Sequence, residues 1–140
     1  ARIAVGEAGQ SGAAYAGGVL CDLNGNLTET STANILLVES GKLISPPAKT
    51  ILDGISLKRT LRLAEQLQIT VEKSAISPSR ARSSEALLLC GTLGCLWAAA
   101  SLDDREFDSA DGNEVFRTLQ KAWQDDVGMD FVSQAMKQSE

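Results

Sequence analysis

The chain has 140 residues, 44% of them hydrophobic and 22% charged, with a net charge of −5 and no histidine. That length supports one domain with a core, and an acidic balance without a basic run or aromatic-interleaved patch argues against nucleic acid as a partner. Without histidine there is no Ser-His or Cys-His nucleophile pair and no imidazole metal ligand, so catalysis would fall to another residue type or to a cofactor.

No apolar run is long enough for a membrane span, so no membrane partner is expected. Residues 1–18 are rich in small residues but lack the apolar stretch of a secretory signal. The three cysteines, Cys21, Cys90 and Cys95, are odd in number and irregularly spaced. Each lies in an apolar run, so they read as buried thiols of a reducing, cytoplasmic compartment rather than as a catalytic thiol or a metal site.

In chain order, residues 1–14 read as the tail of a helix and residues 17–23 as a short apolar strand. Asn24-Gly25 is a hairpin turn signal, because both residues tolerate positive φ. Residues 26–29 return as a second strand with Leu27 and Glu29 on one face. The continuous apolar run 35–38 predicts a strand covered on both faces. Ser40-Gly41 turns it into a partner at residues 43–45, which Pro46-Pro47 ends.

The clearest helix begins near Ser56, read as its N-cap, with Leu57, Leu61, Ala64 and Leu67 on one face. Residues 69–71 resume a strand. Residues 77–84 form a Ser-rich connector with one short helical turn, and residues 86–90 a buried strand that ends at Gly91-Thr92. Residues 103–111 read as an acidic loop. Asp111 with Glu114 suggests a capping box for a last helix whose inner face is Phe116, Leu119 and Trp123. Strand hairpins with intercalated helices make the fold mixed α/β (α+β), a single domain over residues 1–140.

Three segments could carry chemistry. Glu29 leaves a strand into the hydroxyl-rich loop Thr30-Ser31-Thr32, or is simply a solvated strand end. Gly54-Ile55-Ser56 opens a helix, where unpaired N–H groups and the dipole favour an anion; plain capping is the alternative. Gly91-Thr92 ends a buried strand in a turn whose amides could face an anion, or it is only a tight turn.

Together the three segments resemble the class IV (fold type IV) pyridoxal-phosphate aminotransferases, a family that includes branched-chain and D-amino-acid aminotransferases and aminodeoxychorismate lyases. The carrying residues are Asp22-Leu23-Asn24-Gly25-Asn26-Leu27-Thr28-Glu29 with Ser31-Thr32-Ala33-Asn34, then Gly54-Ile55-Ser56, then Gly91-Thr92. The resemblance implies the carboxy-terminal, cofactor-holding domain of such an enzyme: a mixed sheet partly closed as a barrel, with flanking helices. It implies pyridoxal 5'-phosphate as cofactor, a homo-oligomer, and amino-group transfer between an amino acid and a 2-oxo acid, with an aminodeoxychorismate-lyase-type reaction as the alternative.

By the same resemblance, Glu29 would pair with the pyridine nitrogen and Leu52 would pack against the ring. Ile55 and Ser56 would bind the phosphate, with Thr92 as a second ligand. The Thr92 and Leu93 amides would face the substrate carboxylate. Asn34 would hold the loop that carries Ser31 and Thr32 beside the ring.

The sequence departs from the family pattern in three places. No lysine precedes Glu29; the first is Lys42, so the Schiff-base lysine has no counterpart here. Leu57 follows Gly54-Ile55-Ser56 where the family often has Arg. The run after Thr92 has no proline. Because Ala1 is not a natural start, the expectation is a fragment that lost its lysine and its amino-terminal domain, inactive alone. A lysine-less binding or assembly module is the alternative.

Overall fold

The computed structural model describes residues 2–5, 15–91, 95–103, 105–107 and 113–126. Five strands come first: β1 (Arg2–Val5), β2 (Tyr15–Cys21), β3 (Leu27–Thr30), β4 (Asn34–Glu39) and β5 (Lys42–Ser45). A short 3-10 helix (Ala48–Thr50), helix α1 (Ile55–Gln66), strand β6 (Val71–Lys73) and helix α2 (Pro78–Ser83) follow. Then come β7 (Ala86–Gly91), β8 (Cys95–Ala98), β9 (Ser101–Leu102), β10 (Arg105–Glu106) and α3 (Glu114–Asp126).

Strand β4 is the centre. Leu37 pairs with Ile44 of β5 across one edge and with Leu87 of β7 across the other. Side chains alternate along a strand, so Ile35 and Leu37 enter one core with Leu87, Leu89, Ile44 and Ile76. Leu36 and Val38 enter a second core with Leu88, Cys90 and the inner faces of α1 and α3. All four apolar residues of β4 are fully buried, which is why the run shows no polar alternation.

From β4 the sheet continues through β3, β2, β1, β9 and β10 on one side, while β5 leads to β6. Pairing is antiparallel except between β5 and β6, whose parallel register follows from the crossover through α1. The observed architecture is therefore mixed α/β, as expected. The sheet does not close into a barrel among the described residues.

Several expectations need correction. Residues 2–5 form β1, paired with β2, not a helix tail; residues 6–14 lie outside the described residues. Helix α1 starts at Ile55 with Gly54 as N-cap, so Ser56 sits in the first turn. Its buried residues are Leu57, Thr60, Leu63 and Ala64, and Leu67 lies beyond the helix end, exposed. Strand β6 begins at Val71, two residues later than read. Part of the acidic loop forms β10, which pairs back on β9. The cap of α3 is Asn113, whose Oδ1 accepts from Phe116 N at 2.9 Å; Asp111 lies outside the described residues. Cys21 is exposed, whereas Cys90 is buried.

The Ser-rich connector is pinned by Arg80 of α2. Its Nε and one Nη hold the Glu39 carboxylate at 2.8 and 2.9 Å, and the same Nη reaches Glu72 at 3.0 Å. The other Nη donates to Ser74 Oγ and to the Ala75 carbonyl. This planar fork matches a carboxylate as a lysine cannot. Hydrogen bonds from Arg80 hold both Glu39 and Glu72 below the ordinary carboxylate value of 4.5. The stabilisation is complete above that value and is lost as pH falls through the lowered ones. Arg80→Ala should lower the melting temperature by about 5 °C at neutral pH. The gap from the unaltered chain should narrow as the pH of the melts is taken down to about 3; an acid-independent gap would contradict the assignment.

Candidate functional site

The site begins with the turn that aims β3. Asp22 Oδ1 accepts from the N–H groups of Asn24 and Asn26 at 2.9 and 3.0 Å. Gly25 takes φ +82°, in the left-handed region, where glycine carries no Cβ penalty. The chain then returns as β3 with Leu27 fully buried and Glu29 directly opposite Asn34 of β4. Opposed residues of an antiparallel pair share a face, so the partly exposed carboxylate and the buried amide stand side by side.

The hydroxyl loop between them is held by Thr30. Its Oγ1 accepts from Thr32 N at 3.2 Å and Ala33 N at 2.9 Å, and donates to the Ala33 carbonyl at 3.2 Å. This is the local side-chain turn that threonine forms readily. Ser31 and Thr32 are exposed on it. Asn34, expected to hold this loop, instead reaches the segment before α1: its Nδ2 donates to the Leu52 carbonyl at 2.9 Å.

Glu29 reaches the same residue, its Oε1 accepting from Leu52 N at 3.1 Å. Three residues later α1 begins. No side chain caps it and its first turn holds no acidic residue. The first intrahelical bond is Lys58 N to the Gly54 carbonyl, so the N–H groups of Ile55, Ser56 and Leu57 have no acceptor within the helix. Asp53, just before, is ion-paired to Lys58 Nζ at 3.2 Å. Leu52 and Ile55 expose 73% and 77% of their surface, an apolar pair beside the carboxylate and the open helix end.

Ser56 Oγ donates to the Gly91 carbonyl at 3.3 Å, which joins α1 to the end of β7. Gly91 itself is packed tightly: a Cβ there would lie 2.9 Å from the Thr32 carbonyl oxygen and 3.3 Å from both Ala33 Cβ and Trp97 Cη2. The hydroxyl loop, the start of α1 and the end of β7 therefore converge. Thr92 and Leu93 follow Gly91 but lie outside the described residues.

Beneath this surface Thr60 is fully buried. Its hydroxyl donates to the Ser56 carbonyl at 2.8 Å and accepts from Trp123 Nε1 of α3 at 2.9 Å. Cys90 Sγ of β7 lies 3.6 Å from the same oxygen. The first turn of α1 is thus fixed from below by a helix 63 residues away.

Of the residues singled out in the sequence, Glu29, Leu52, Ile55 and Ser56 fall along one connected path, with Ser31 on the adjoining loop. The sequence places Thr30 in the hydroxyl loop without a role of its own, and nothing in it singles out Thr60. A threonine at a strand end before two hydroxyl residues was the available signal for Thr30. Nothing local marks Thr60, whose partner is distant. The path offers backbone donors and a hydroxyl for an anion, a carboxylate for an N–H, and two apolar side chains. No cluster of acidic or cysteine side chains suited to a metal exists among the described residues.

The family model described as "Amino-transferase class IV" matches residues 4–102. A curated relative from Thermotoga maritima, "Probable branched-chain-amino-acid aminotransferase", is 31% identical over 72% of this chain and 37% of its own length. The chain thus spans less than two fifths of that relative. Two solved structures share the fold at 25% identity. The branched-chain amino acid aminotransferase of Escherichia coli has a TM-score of 0.71 over 77% of this chain and 37% of that one. The 4-amino-4-deoxychorismate lyase of Pseudomonas aeruginosa has a TM-score of 0.73 over 85% and 43%.

Gly91→Ala should destabilise the chain by about 1–3 kcal/mol, as overpacking does, because a backbone carbonyl stands where the methyl would go. Urea unfolding measures this; unchanged stability would mean that the loop yields without cost.

Proposed function

This chain belongs to the class IV aminotransferases, and we propose that it holds pyridoxal 5'-phosphate between Glu29 and the start of α1, for amino-group transfer between an amino acid and a 2-oxo acid. The family is pyridoxal-phosphate dependent, and an aminotransferase of Brucella abortus with this fold is bound to that cofactor. The observation that carries the reading is the short path from the Glu29 carboxylate through Leu52 to an uncapped helix end.

The residues suit the group. The cofactor has an anionic phosphate at one side of a flat ring and a basic nitrogen in the ring. Ile55 and Ser56 N–H groups at the dipole end of α1 would bind the phosphate. The Ser56 hydroxyl has one proton, now given weakly to Gly91, and a phosphate would compete for it. Glu29 Oε1 is fixed by Leu52 N, and the second oxygen would hold a proton on the ring nitrogen, since a carboxylate favours the cationic form. Leu52 and Ile55 would cover the ring and exclude water. Ser31 would stand beside it. Thr92 would add a second phosphate ligand, and the amides of Thr92 and Leu93 would face the substrate carboxylate. When bound, the cofactor supplies the electron sink for bond cleavage at the amino-bearing carbon.

No lysine precedes Glu29 in this chain, so the covalent attachment falls to a residue that these 140 do not place. The chain alone would hold the cofactor without turning over. A homo-oligomeric, cytoplasmic parent enzyme belongs to the same proposal. The likeness to the Pseudomonas lyase favours a second reading, elimination rather than transfer. A lysine-bearing enzyme carrying this half distinguishes them, because transfer requires a 2-oxo acid acceptor and elimination does not.

The direct test is a titration of the chain with pyridoxal phosphate, followed by cofactor absorbance. Glu29→Gln removes a charge-assisted contact and should weaken binding about 10- to 100-fold. Ser56→Ala should weaken it about 3- to 10-fold. A wild-type chain that shows no saturable binding, or a Glu29→Gln variant that binds as well, would overturn the reading.

A further inference from the structure

We propose that Asn34 is a positioning residue for this site, acting with Glu29 as a clamp on Leu52; the proposal rests on the cofactor reading above and adds to it a residue that touches no ligand. Both polar backbone groups of Leu52 are held by one cross-strand pair. Glu29 takes its N–H at 3.1 Å, and Asn34 Nδ2 donates to its C=O at 2.9 Å. Glu29 and Asn34 are in register on β3 and β4, so the clamp is built on sheet rather than on loop.

The amide has a second function. A Cβ at Gly54 would lie 2.6 Å from Asn34 Oδ1, so the N-cap of α1 rests directly against the side chain that grips Leu52. One end of Asn34 thus holds residue 52 by a hydrogen bond and the other packs against residue 54, which together would set the distance from the Glu29 carboxylate to the first free N–H groups of the helix. A ligand with a phosphate at one end and a ring N–H at the other is read by that distance. A ligand with only the phosphate is not.

The geometry also separates positioning from folding. The Leu52 carbonyl has another donor, Gly54 N at 3.0 Å, so removing the Asn34 amide leaves no orphaned carbonyl. Asparagine is required as such, because its donor faces Leu52 and its oxygen faces Gly54. An aspartate there would oppose the Leu52 carbonyl and stand next to Glu29.

The experiment uses the full 140-residue chain and two probes, pyridoxal phosphate and inorganic phosphate, titrated against amide shifts of Ile55 and Ser56 in a nitrogen–proton NMR spectrum. Asn34→Ala should weaken pyridoxal phosphate about tenfold, as the loss of one good hydrogen bond allows, and leave inorganic phosphate within about twofold. Asn34→Asp should weaken both probes, because it adds negative charge near the anion. Gly54→Ala should weaken pyridoxal phosphate alone, and adding Asn34→Ala to it should cause no further loss, since the methyl then has room. Unchanged pyridoxal phosphate binding in Asn34→Ala overturns the clamp while leaving the cofactor site standing. Equal weakening of both probes in Asn34→Ala, or additive losses in the double variant, marks a general structural role and also overturns it. If the wild-type chain binds inorganic phosphate but not pyridoxal phosphate, the cofactor reading fails and the positioning role fails with it.

Discussion

A strand buried on both faces and paired on both edges can carry no polar side chain in its middle and no unpaired backbone group. Strand β4 meets both conditions, and the fold is arranged to satisfy them. Strand β7 covers one edge and β5 the other. Helices α1 and α3 close one face and the strands with the connector around Ile76 and Ala81 close the other. Polar residues are admitted only at the ends of β4, and both ends are used. Asn34 at the start joins the candidate site, and Glu39 at the finish accepts the Arg80 fork.

This division explains why the candidate site lies where it does. A site needs backbone groups and charges that the core cannot tolerate, together with a rigid base that a loop cannot supply. The start of β4 provides the base, and the three connections that meet there provide the polar groups. The connections are held by contacts of different kinds: a threonine turn for residues 30–33, a clamp for Leu52, and a close glycine approach at Gly91.

Much of this was legible in the sequence, for a physical reason. The runs at residues 35–38 and 86–90 are apolar without alternation, short and bounded by turn residues, as a two-faced strand requires, and the Asn24-Gly25 and Ser40-Gly41 turns are local chemistry. Motif order then grouped Glu29 with Gly54, Ile55 and Ser56. What escaped was decided at long range. Helix α1 starts earlier than the hydroxyl of Ser56 suggests, and that hydroxyl instead meets the carbonyl of Gly91, 35 residues further on. Asn34 stands out in the motif, but its hydrogen-bond partner lies 18 residues ahead, beyond the reach of local pattern. Arg2–Val5 pairs with a strand that begins at Tyr15, and four residues before a run of small ones are too few to show a strand period.

The Thr60 hydroxyl also sets an order of events. It couples the first turn of α1 to Trp123, which a ribosome adds 63 residues after Thr60. Domains complete their packing only when all their parts have emerged, so the first turn of α1 stays unbraced until Trp123 has been made. A function that needs that turn held rigid is open only to chains translated past α3.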